Sequence, residues 1–167
     1  MPGVFDMTFP PIPSWDGLHP LIVHFPVALL LSAPLFVVLG ALFPKTRGLS
    51  LAALLLMLMG TVGAFLAVET GKAAGELAVR TAQVSQTLEG HEELAETTRD
   101  VFAGLTVLFA LLLIVPKFLR KQPTRRVSLA LTLVFLAAYS VGGLYLVNTA
   151  HQGGRLVHEL GVQALIG

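Results

Sequence analysis

The chain has 167 residues, 54% of them hydrophobic and only 13% charged, with a formal net charge of +1. A soluble domain carries roughly 25% charged residues, so this is the composition of a membrane protein, and the length suits one domain. The balanced charge leaves no polybasic surface for nucleic acid. The absence of cysteine excludes disulfides, thiolate metal sites and the C-x-x-C-H attachment of a c-type haem.

Residues 1–17 read as an irregular outer lead. They hold four prolines, Pro2, Pro10, Pro11 and Pro13, and no basic stretch, so no cleavable signal peptide is predicted. Trp15 is placed at the lipid–water boundary. Residues 18–167 form the membrane domain, with a first apolar span at about 18–43. It opens on "GLHPLIVHFPVALL", with His19 and His24 at its mouth and Pro20 and Pro26 close behind. The second span covers about 49–70, the third about 95–117 and the fourth about 127–150. Roughly 20 apolar residues cross a bilayer; the third span reaches that length only with flanking residues such as Leu94 and Thr98.

Between the second and third spans lies "GKAAGELAVRTAQVSQTLEGHEELAETTRD", rich in helix-forming residues. Both spans are therefore expected to project from the bilayer as a hairpin, with a turn near Ser85–Glu89 and Gly90. Beyond the fourth span, "HQGGRL" is read as a possible interruption, since Gly153 and Gly154 let a backbone or a flat ring approach. Gly60, Gly63, Ala64, Gly142 and Gly143 read as helix-packing positions. No internal repeat is evident. The fold class is an all-α four-transmembrane-helix bundle.

Charge assigns the sides. The two short loops hold Lys45, Arg47, Lys117, Arg120, Lys121, Arg125 and Arg126, with no acid among them. All ten acidic residues lie toward the other end. The positive-inside rule puts the short loops in the cytoplasm and both termini outside, in a bacterial inner membrane.

On this topology all five histidines, His19, His24, His91, His151 and His158, fall at the outer end. Neutral imidazole binds iron, copper and zinc, and facing helices of a bundle commonly build haem and metal sites. His91 shares a helical face with Leu94, Ala95, Thr98 and Phe102 and should point into the bundle. His24 and His91 are the favoured pair, followed by His19 and His151. A rise of about 1.5 Å per residue nevertheless levels His19, His91 and His151 and leaves His24 deeper, beside Glu69. Arg155 or Lys72 could meet haem propionates. Glu69 is a further metal ligand candidate or a partner that orients His24, and His158 a further ligand. The competing reading for each histidine is a cap or a surface contact.

The stretches "LHPLIVHFPVALL", "ETGKAAGE", "GHEELA" and "GGRLVHELGV" resemble the bacterial four-helix membrane proteins of the domain-of-unknown-function 2231 family. The resemblance runs over nearly the whole chain from Leu18. It implies a four-helix bundle in which the HP…HFP motif, here His19 and His24, opens the first helix and a histidine, here His91, precedes the third. The final motif departs from the pattern, with His158 where a tyrosine is usual.

The residues point to a membrane b-type haem protein that moves electrons near the outer face, exchanging them with a cytochrome or a larger membrane complex. An oligomer is compatible with this. Two alternatives stand beside it: a copper or zinc site built from histidines and Glu69, and an assembly subunit whose histidines only pack.

Overall fold

The computed structural model describes residues 12–162, and every regular element in that range is helical. A 3-10 turn, Asp16–Leu18, leads into α1 (His19–Ile22) and α2 (His24–Leu42), followed by α3 (Arg47–Glu76), α4 (Ala82–Phe118) and α5 (Arg125–His158). Of the expected irregular lead, residues 1–11 lie outside the described range, and 12–15 carry no helix. Four helical stretches are long and apolar enough to cross a membrane: Asp16–Leu42, Gly48–Glu76, Ala82–Phe118 and Arg125–His158.

The prolines set the local structure of the first span. Pro26 has no N–H to give the carbonyl of Ile22, so the helical ladder loses a bond between α1 and α2 while Val23 keeps helical dihedrals and the path stays continuous. Pro34 lies inside α2 and likewise withholds a donor from the carbonyl of Leu30. There the tertiary fold compensates: the Tyr139 hydroxyl of α5 donates to that carbonyl at 2.7 Å.

Two expected interruptions are absent. The turn between α3 and α4 falls at residues 77–81, and α4 runs straight through Ser85–Glu89 and Gly90. Thr81 decides this, because its side chain caps the helix by accepting from the Val84 N–H at 3.2 Å. Gly90 is kept helical against α5, where a Cβ would come 3.3 Å from the Gln152 side chain. α5 continues through Gly153 and Gly154 to His158, because Gly153 packs directly on another helix. At 30, 37 and 34 residues, α3, α4 and α5 measure about 45, 56 and 51 Å, against roughly 30 Å of hydrocarbon. The α3–α4 hairpin therefore extends beyond the bilayer.

The helices alternate in direction, and each packs on its neighbours, α2 and α5 least closely. The core at mid-depth joins Leu30, Ala33 and Val37 of α2, Ala53 and Met57 of α3, Phe102, Leu105 and Phe109 of α4, and Phe135, Tyr139 and Leu146 of α5. Phe102 meets the edge of Tyr139 with centroids 5.2 Å apart.

These contacts contain an internal repeat, contrary to the sequence reading. Gly60 of α3 faces Leu30 and Leu29, and Gly142 of α5 faces Phe102 and Val101. The step along the chain from Leu30 to Phe102 equals the step from Leu29 to Val101, so the two glycines meet equivalent pairs. The α1–α2–α3 and α4–α5 units thus pack in equivalent registers about an approximate two-fold axis along the bundle. Composition hides this because the equivalent core positions differ in size: Leu30 corresponds to Phe102, Ala33 to Leu105 and Met57 to Tyr139.

Candidate functional site

The same register carries the histidines. The step from His19 to His91 is the one that relates Leu30 to Phe102. His19 opens α1, and His91 lies toward the N-terminal end of α4. His19 leans on Gly71 of α3, so closely that a Cβ there would lie 2.8 Å from the ring Cε1. His91 leans on Gly153 of α5, where a Cβ would lie 3.0 Å from the ring Cε1. Only glycine admits an imidazole this close to the helix backbone. One turn before each glycine lies the carbonyl that receives the ring. His19 Nδ1 donates to the Ala67 oxygen at 3.0 Å, and His91 Nδ1 donates to the Thr149 oxygen at 3.1 Å. Ala67 and Thr149 are related by the same step as Gly71 and Gly153, and as Gly60 and Gly142.

A carbonyl only accepts, so each neutral ring carries its proton on Nδ1 and keeps the lone pair on Nε2. Carbonyl contacts of this kind orient metal-bound imidazoles and raise their basicity. Threonines stand beside both seats: buried Thr70 at His19, and buried Thr98 with half-buried Thr149 at His91. Thr70 donates to the Leu66 oxygen at 2.8 Å and offers its own oxygen to His19 Nδ1 at 3.3 Å. Thr149 donates to the Tyr145 oxygen, which leaves Thr98 as the donor in the 2.8 Å bond between the two threonines. Among the described residues no buried side-chain nitrogen or oxygen lacks a partner, and none of those residues bonds either Nε2. Both Nε2 atoms therefore face open space.

That space is a cavity of about 730 Å³ at the histidine end, lined by all four spans, within the roughly 300–1,000 Å³ typical of small-molecule and cofactor sites. Its walls on α3 and α5 include the small residues Ala67, Ala74, Gly75, Ala150 and Gly154, valine and leucine cover much of the rest, and Lys72, Glu92, Thr98, His24 and His158 add polar groups. Two imidazoles on opposed helix pairs border this cavity, each with a ring nitrogen free to ligate a cofactor.

The other predicted residues fall in different places. His24 lines the cavity but is exposed, with its Nδ1 donating to the Pro20 oxygen one turn earlier at 2.7 Å. His158 lines the cavity at the end of α5 and is exposed. His151 is exposed and outside the lining, as is Glu69. Arg155 lies outside the lining and pairs with Glu159 at 3.0 Å. Lys72 lines the cavity and reaches across to Glu96 of α4 at 2.6 Å. Among the described residues no three His, Asp or Glu side chains gather as a compact ion site requires. The sequence reading missed Gly71, Ala67 and Thr149. The equal spacing of the Gly60–Gly142 and Gly71–Gly153 pairs was the signal that could have found the first.

Neither the curated proteins nor the solved structures give a match to this chain. A family model described as a predicted membrane protein, DUF2231, matches residues 16–165. With four apolar helices around a cavity lined by histidines, the chain belongs to this family of membrane proteins.

Proposed function

We propose that the protein is a b-type haem protein of the membrane, with His19 and His91 as the axial pair. One observation carries this reading. Two imidazoles from opposed helix pairs border one cavity, each with Nδ1–H held by a carbonyl, each Nε2 free, and each ring seated on a glycine. A copper or zinc ion would call for three or four ligands, and among the described residues no third ligand gathers with the pair. Haem, when bound, supplies one-electron chemistry. The chain's own part is to fix the two nitrogens, exclude lipid and water with largely apolar walls, and meet the propionates with a cation. Lys72 is the lysine in the lining and would exchange its partner Glu96 for a propionate, in place of Arg155.

By the positive-inside rule the histidine end faces the outer side of the inner membrane. There the protein exchanges electrons with a cytochrome or a larger membrane complex. The test is the reduced-minus-oxidised absorption spectrum of protein purified from cells supplied with haem. A Soret band and a reducible α-band are expected. His19→Ala and His91→Ala should each lower haem per protein at least tenfold, and His151→Ala should leave it unchanged. A colourless wild type, or full haem in both axial variants, would overturn the assignment and favour an assembly role.

A further inference from the structure

His24 and His158 are the cavity histidines that the axial pair leaves unused, and His24 is the deeper of the two. Its ring proton is committed to the Pro20 carbonyl, so its Nε2 is an acceptor only, and the ring is exposed. The exposed residues of the cavity lining fall into two groups. Lys72 lies on the α3–α4 side and is already paired with Glu96. The others are Pro20, His24 and Ala28 on the first span and Ala150, Val157 and His158 on α5. Helices α2 and α5 are the neighbours that pack least closely. Tyr139 ties α2 to α5 at Leu30, and the cleft opens between the two helices beyond that tie. Above that tie the exposed lining at the level of the first span is Pro20, His24 and Ala28, with Ala150 across from them on α5, and these residues form a side mouth; Val157 and His158 stand higher, at the outer end.

His24 lies about 28 Å along the first span from Phe43, near the edge of a hydrocarbon core of roughly 30 Å. A group that reaches it arrives through the bilayer. It must be apolar enough to partition there, and it must carry a hydroxyl donor to match an acceptor-only nitrogen. Around His24 the lips are Pro20, Ala28 and Ala150, which offer no charge to a water-soluble redox protein.

We infer that this side mouth docks a lipid-soluble hydroquinone, one hydroxyl of which donates to His24 Nε2. As an electron source this rests on the haem reading; as a binding site it does not. With haem bound as proposed, the hydroquinone would give up its two electrons one at a time to ferric haem and its two hydroxyl protons with them, leaving the quinone, and His24 Nε2 would be the base that takes the first proton.

The test uses detergent-purified full-length protein and decyl-hydroquinone under anaerobic conditions. Binding is followed by calorimetry, with haem content measured on the same samples. His24→Ala should weaken binding about tenfold, as loss of one hydrogen bond does, while haem content stays at the wild-type level. His24→Gln, which keeps an acceptor, should restore most of the affinity. Ala150→Trp should block the mouth from the opposite lip. Wild-type protein that fails to bind the probe, or His24→Ala that binds it unchanged, would overturn the docking site. Binding that depends on His24 in protein without haem would uphold the site and remove the haem reading alone.

Discussion

At the scale of single residues, the site depends on what is missing at position 71 as much as on what is present at 19. A Cβ on Gly71 would stand 2.8 Å from His19 Cε1, inside any real carbon–carbon contact, and the ring has nowhere to slide without breaking its bond to Ala67. Gly71→Ala should therefore cut haem per protein several-fold with helix content unchanged by circular dichroism. Gly143→Ala is the matched control. That position meets nothing within 4 Å, and alanine there should be neutral or stabilise the helix by up to about 1 kcal/mol. Equal haem in both variants would refute the seat assigned to Gly71. The expected pair, His24 and His91, differs from the pair the fold opposes, His19 and His91. Rise per residue already levelled His19 with His91. What the sequence could not convey is that His24 folds its Nδ1 onto Pro20, one turn back along its own span.

At the scale of elements, the four helices were legible because apolar runs of bilayer length leave few other structures. Their ends were less so. The turn expected near Gly90 sits at residues 77–81, because one hydroxyl, that of Thr81, outweighs a glycine that α5 supports from the side. The ladder bond missing at the Ile22 carbonyl and the tie at mid-depth both follow from prolines, and the second gives a test. The Leu30 carbonyl lacks a helical donor because residue 34 is proline, and Tyr139 supplies one from another helix. Tyr139→Phe should cost about 1–2 kcal/mol, the range of a buried acceptor left unpaired, measured by unfolding in a mixed-micelle denaturant titration. Pro34→Ala restores an N–H to the helix, so in that background the same tyrosine change should cost distinctly less. An equal cost in both backgrounds would show that the hydroxyl serves packing around Phe102 and not the orphaned carbonyl.

At the scale of the whole molecule, two equivalent units related by an axis along the bundle explain why one cavity receives two matching histidines. A parallel repeat of two hairpins puts both unit starts, and hence both rings, at the same end. It also leaves two seams. The α3–α4 seam is closed by Lys72 and Glu96, and the α2–α5 seam is open beyond Tyr139. The repeat escaped the sequence because it lives in matched spacings, such as those of Gly60 to Gly142 and Gly71 to Gly153, and not in shared residue types. The proposed orientation rests on charge: seven basic residues occupy the two short loops with no acid beside them, which the positive-inside rule sends to the cytoplasm. The absence of native cysteine makes this directly testable. Val79→Cys lies in the α3–α4 turn, at a position 85% exposed. Gln122→Cys lies in the α4–α5 loop, also exposed. A membrane-impermeant maleimide added to spheroplasts should label the first at once and the second only after the membrane is permeabilised. The reverse pattern would put the histidine cavity, its proposed haem and its side mouth on the cytoplasmic leaflet, and any electron or proton exchanged there would belong to the cytoplasm.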